Sequence, residues 1–132
     1  MVDAFSVVFL APKSVLRQAG VMPVPLELSP QEVQSRLSRG DRLVFIDVRE
    51  PEEFAVTRID GAELVPMQSV PAEVQRLKRL ADDAGLVILC HHGVRSLQIT
   101  SWLRQQDIDN CSSLAGGIDR WSREIDPTVP RY

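Results

Sequence analysis

Leu86-Val87-Ile88-Leu89-Cys90-His91-His92-Gly93-Val94-Arg95-Ser96 decides how this chain is read. Its first four residues are apolar without alternation, the pattern of a strand buried on both faces of a parallel sheet. Gly93 interrupts three residues after Cys90, and a helical pattern follows. Cys90 is therefore expected at the carboxyl end of a strand, in a tight loop above a helix N-terminus. Backbone N–H groups and the helix dipole there favour an anion, and so a thiolate. Arg95 adds a fixed positive charge. Cys90 is the candidate nucleophile, and His91, His92, Gly93, Val94, Arg95 and Ser96 are its candidate loop.

Outward from that stretch, strands alternate with helices. Ser29-Pro30-Gln31-Glu32 is a helix start: Ser29 caps, Pro30 suits the first helical position and Glu32 completes a capping box. Val33 and Leu37 give that helix an apolar face, and Gly40 ends it. Residues 43–46 read as a second buried strand, running into Asp47-Val48-Arg49. Pro51 opens a short helical turn carrying Phe54. Residues 62–65 read as a short strand after the Asp60-Gly61 turn. Pro71 is expected to start a helix with Val74, Leu77, Leu80 and Ala81 inward, closed by Gly85. After the Cys90 loop, Ile99, Trp102 and Leu103 mark the inner face of a helix. Residues 111–115 read as the last strand, Gly116-Gly117 as a sharp turn and residues 118–125 as the final helix. The segment with Pro127 and Pro130 is expected to be irregular. This alternation predicts an α/β fold, with a mostly parallel sheet covered by helices on both faces. Ligands bind outside the carboxyl ends of such strands, where Cys90, Asp47 and Arg49 all fall.

At 132 residues and 44% hydrophobic content, the chain suits one domain with a real core. A net charge of −3 implies no general affinity for nucleic acid. Two cysteines, Cys90 and Cys111, make no disulfide framework and suit a reducing compartment, so a cytoplasmic location is expected. Cys111, in an apolar strand, reads as a core residue. No Cys/His spacing of the metal-binding kind is present, and no cofactor is called for. Residues 4–11 are apolar except Ser6 but too short to span a bilayer, so no membrane partner is expected. Asp3 stands where a signal peptide would carry a basic residue. Residues 1–22 read as an extra arm or strand of unknown role, with residues 23–132 as the domain.

Four segments, in order, resemble the single-domain rhodanese family of sulfurtransferases. They are Phe45-Ile46-Asp47-Val48-Arg49-Glu50-Pro51-Glu52-Glu53-Phe54, Arg58-Ile59-Asp60-Gly61-Ala62, Cys90 to Ser96, and Leu114-Ala115-Gly116-Gly117-Ile118-Asp119-Arg120-Trp121. Together they span about residues 24–125. Arg58 stands where the family usually has histidine. The resemblance implies a rhodanese-like three-layer fold with a five-stranded sheet, and Cys90 in the loop after the fourth strand. It implies transfer of a sulfane sulfur through a Cys90 persulfide, from thiosulfate or a protein persulfide to a thiol acceptor. Asp47 and Arg49 are then supporting residues of the loop scaffold. Arg95 either binds an anionic donor or holds the loop through Asp47 or Glu50. Glu52-Glu53 and residues 76–79 read as solvated faces, and Trp102 and Trp121 as core.

Loop length bears on the reaction class. Four residues separate Cys90 from Arg95, whereas phosphatases of related architecture place five there. The shorter loop suits one sulfur atom better than a phosphoryl group. The Cys-Gly-Ser/Thr-Gly loop typical of mercaptopyruvate-type enzymes is absent. Three other readings stand beside sulfur transfer: a non-enzymatic sulfur carrier or partner-binding module, a phosphatase or arsenate reductase on the same fold, and a redox sensor lacking an obvious resolving cysteine.

Overall fold

The computed structural model describes residues 24–132. The expectations for residues 1–22 lie outside the described residues. Five strands form one wholly parallel sheet in the order β1-β5-β4-β2-β3. They are β1 (Glu27–Leu28), β2 (Leu43–Asp47), β3 (Glu63–Leu64), β4 (Gly85–Leu89) and β5 (Cys111–Leu114). The helices are α1 (Pro30–Ser38), α2 (Pro51–Val56), α3 (Val74–Asp83), α4 (Val94–Gln105) and α5 (Gly117–Glu124), and a 3₁₀ helix covers Met67–Glu73.

Local chemistry accounts for several boundaries. Ser29 accepts a hydrogen bond from the Glu32 amide at 3.1 Å, and Glu32 accepts one from the Ser29 amide at 2.8 Å. That reciprocal box, with Pro30 at the first position, starts α1 as the sequence implies. The 3₁₀ helix and α3 differ from expectation. Pro71 lies inside the 3₁₀ helix, whose Ser69 amide already bonds to Pro66 O at 2.7 Å. The α-helix begins only at Val74. Ala84 turns extended and ends it, and Gly85 opens β4. On the solvated face of α3, Arg76 pairs with Glu73 at 2.6 Å and with Glu63.

The central strand β4 sends alternate side chains to two cores, as strand geometry requires. Leu86 and Ile88 pack with Val70, Leu77, Ala81, Ile99 and Leu103 beneath the 3₁₀ helix, α3 and α4. Val87 and Leu89 pack with Val33, Phe45, Leu114, Ile118 and Trp121 beneath α1 and α5. Phe45 meets Trp121 edge to face at 5.5 Å. Each fully buried Leu or Ile contributes about 1.5–3 kcal/mol, so β4 is the best-anchored strand. Its register with β2 runs unbroken from Leu43↔Gly85 to Asp47↔Leu89. The loop after it starts from a fixed point. No helix among the described residues is long and apolar enough to cross a membrane.

Candidate active site

Cys90 is the first residue after β4 and is 1% exposed. Gly93 then adopts φ +103°, in the left-handed region that favours glycine. A Cβ there would lie 3.1 Å from the Gly116 amide nitrogen. The turn aims two backbone N–H groups at the cysteine sulfur. The Gly93 amide donates to Sγ at 3.1 Å and the Ser96 amide at 3.3 Å. The thiol lies 3.4 Å from Ser96 Oγ, to which it donates, and Ser96 Oγ is 2.8 Å from Ser113 Oγ on β5. Donors converging on sulfur stabilise negative charge there without reorganisation.

A second helix start fixes the loop from behind. The amides of Ile118 and Asp119, in the first turn of α5, donate to Cys90 O at 2.9 Å and His91 O at 3.1 Å. These are N–H groups that a helix cannot satisfy internally. The close approach depends on Gly117, where a Cβ would lie 2.5 Å from Cys90 O. The Gly116-Gly117 pair, expected only as a turn, thus seats α5 against the Cys90 loop.

Asp47 and Arg49 are both fully buried and bind each other. Arg49 Nε donates to Asp47 Oδ1 at 2.9 Å and Nη2 to Asp47 Oδ2 at 2.7 Å. Nη2 also donates to Thr57 O at 2.7 Å. A planar guanidinium satisfies several acceptors at once, which is why this buried charge is Arg. The pair ties the end of β2 to the loop after α2.

Arg95 does not pair with Asp47 or Glu50. Its partner is Glu53, with Nη1 to Oε1 at 2.8 Å and Nη2 to Oε2 at 3.0 Å. Asp47 is already engaged by Arg49, and Glu50 sits at the N-cap of α2, one turn before Glu53. Glu53 is therefore not a solvated side chain. Arg95 pulls its pKa down to about 2, against the effect of burial and with help from the Glu50 amide and Tyr132. Glu53 in turn raises the pKa of Arg95, against the effect of burial. Arg95 directly precedes Ser96, whose amide donates to Cys90 Sγ, so this ion pair is seated on the Cys90 loop.

His91 stacks on Tyr132, with ring centroids 3.9 Å apart and planes at 9°. His92 is exposed and tilted against His91. Val94 is 68% exposed and makes the outer rim of the loop. Cys111 is buried, with its thiol donating to Ile108 O at 3.1 Å. Glu53, Ser113 and Tyr132 were missed in the sequence: none belongs to the Cys90 segment, and each reaches the loop only through tertiary packing. Among the described residues no three His, Cys, Asp or Glu side chains gather as metal ligands.

A parallel sheet between helical layers, with a cysteine cradled by loop amides at its carboxyl edge, defines a rhodanese-type fold. The chain belongs to the family of rhodanese-like domains, whose profile matches residues 29–124. It is 32% identical over 105 residues to the probable adenylyltransferase/sulfurtransferase MoeZ of Mycobacterium tuberculosis, covering 80% of this chain but 26% of that protein. The chain thus spans about a quarter of the length of that relative. It is 31% identical over 107 residues to the thiosulfate sulfurtransferase GlpE of Haemophilus influenzae, covering 80% of this chain and 96% of GlpE. The structure of the human single-domain sulfurtransferase TSTD1 is similar with a TM-score of 0.65 at 28% identity, over 76% of this chain and 98% of that one.

Proposed function

We propose that the protein is a sulfurtransferase in which Cys90 takes up and passes on a sulfane sulfur. The observation that carries this reading is the pair of amides, Gly93 and Ser96, directed at Cys90 Sγ within a four-residue loop. In the first step the Cys90 thiolate attacks the outer sulfur of thiosulfate. A new S–S bond forms on Cys90, the donor's S–S bond breaks and sulfite leaves with the bonding pair. In the second step an acceptor thiolate attacks the outer sulfur of the persulfide, and Cys90 departs as thiolate. Neither step needs a general acid, because every leaving group is a stable anion. The loop amides stabilise the Cys90 thiolate that attacks in the first step and departs in the second.

Arg95 serves the anionic donor in this reading. Its bidentate pair with Glu53 engages two N–H groups of a guanidinium that carries five, and Arg95 stands in the Cys90 loop next to Ser96. What tells against a phosphatase is the four-residue spacing from Cys90 to Arg95, one residue short of the loop that cradles a phosphoryl group. A protein persulfide is the alternative donor, and relatives named adenylyltransferase/sulfurtransferase support the sulfurtransferase class. Cys90→Ser is expected to abolish thiosulfate:cyanide sulfur transfer and Cys111→Ser to keep most of it, measured as thiocyanate release. Full activity in the Cys90 variant would overturn the proposal.

A further inference from the structure

Tyr132 is the chain's single tyrosine, and nothing in the sulfur-transfer step described above uses it. Its hydroxyl lies between two charged groups of the site. It accepts a hydrogen bond from Arg49 Nη1 at 2.9 Å and donates one to Glu53 Oε2 at 2.7 Å. Its ring lies flat on His91, and its backbone oxygen is 3.0 Å from His91 Nε2.

This placement is anchored at several points. Val129 is buried in the core beneath α5, and its carbonyl accepts from the Ser122 hydroxyl. The Val129 amide bonds to Asp126 O at 3.0 Å. Arg131 bonds to Asp119, in the first turn of α5, at 2.9 Å. Tyr132 is thus delivered to the loop by a segment pinned to the helix that also holds Cys90 O and His91 O.

The donor and acceptor roles require a neutral phenol. Burial raises the phenol pKa; Arg49 opposes that effect and Glu53 adds to it. The outcome is a continuous chain of contacts from Asp47 through Arg49, Tyr132 and Glu53 to Arg95, in the first turn of α4 beside Ser96. Arg95 is the most exposed member of its ion pair, so its place depends on where Glu53 is held. The Glu50 amide fixes Glu53 Oε1 at 3.0 Å, and Tyr132 fixes Oε2.

Building on the sulfurtransferase reading, we propose that Tyr132 is a positioning residue that sets donor specificity. It holds Glu53, and through Glu53 it keeps the Arg95 guanidinium fixed on the Cys90 loop, so the site favours anionic sulfur donors over neutral ones. Without the hydroxyl, Glu53 Oε2 loses one of its anchors and the Glu53–Arg95 pair is held less firmly on the loop.

The test is alkylation of Cys90 in the full chain by iodoacetate and by iodoacetamide, reagents alike in size and different in charge, read by mass at Cys90. In Tyr132→Phe the iodoacetate rate is expected to fall by roughly threefold or more, because charge attraction to the site is weakened. The iodoacetamide rate should stay at the wild-type value. Tyr132→Ala removes the same hydroxyl and must lower the ratio at least as far. KM for thiosulfate should rise in parallel with kcat retained, the mark of lost donor binding rather than lost chemistry. A wild-type alkylation ratio in either variant, whatever the melting temperature does, would overturn the role of Tyr132. If the wild type moves no sulfur from thiosulfate, the functional reading falls while the alkylation ratio still decides the role of Tyr132.

Discussion

At the residue scale, the site depends on how few charges are left without partners. Arg49 is wholly buried and satisfied chiefly by Asp47. Asp47→Ala would strand that cation in the interior, where losing one member of a buried pair costs about 3–5 kcal/mol. Urea denaturation should show a loss of that size, and a loss near zero would mean Arg49 finds another partner or reaches water. Glu53 offers a second, pH-resolved check. Its folded pKa is about 2 against an ordinary 4.5, so its contribution is complete above pH 4.5 and fades as pH falls towards 2. The stability difference between wild type and Glu53→Gln should therefore be flat above about pH 5 and shrink below 4.5 in thermal melts at stepped pH. A difference that grows on acidification would contradict the Arg95 pairing. The sequence shows Cys90 plainly, because strand, glycine and helix are adjacent in it. It does not show Glu53, since Glu52-Glu53 after a proline has the look of any solvated helix start. The residue that engages Glu53 is Arg95, far along the chain.

At the element scale, two helix N-termini converge on one loop: α4 supplies N–H groups to the Cys90 sulfur, and α5 supplies them to the carbonyls of Cys90 and His91. The start of α4 is legible from Gly93. The role of α5 is not, because a glycine pair specifies a turn without saying what the turn packs against. Gly117→Ala forces a Cβ against backbone at φ +62°. It should cost about 2 kcal/mol or more and impair sulfur transfer beyond what the lost stability explains. Gly40→Ala is the matched control, with φ +92° but open space around its Cβ. It should cost about 1–2 kcal/mol and leave transfer intact. Equal activity losses in the two variants, by thiocyanate release at a temperature where both are folded, would refute the seating of the loop by α5. The 3₁₀ helix was illegible for a similar reason. Pro71 carries a helix-start signal, yet the chain is already turning from Pro66 onward, and the proline lies inside the 3₁₀ helix, three residues before α3 begins.

At the scale of the whole molecule, unbroken apolar runs and the helices between them specify a parallel sheet. They do not specify the order β1-β5-β4-β2-β3, which depends on pairings between distant strands such as Glu27↔Ser113. That order puts β4 at the centre, packed on both faces, and gives the Cys90 loop a rigid base. The segment after α5 was expected to be irregular and has no regular structure, yet it carries Tyr132 onto the loop. Two prolines predict only that it is not a helix. The central claim is that Cys90 carries sulfane sulfur, and intact-mass spectrometry after incubation with thiosulfate measures this directly. The protein should gain the mass of one sulfur atom, lose it on addition of cyanide, and gain nothing as Cys90→Ser. No gain from thiosulfate or from a persulfide donor, or a gain that persists in Cys90→Ser, would contradict the account.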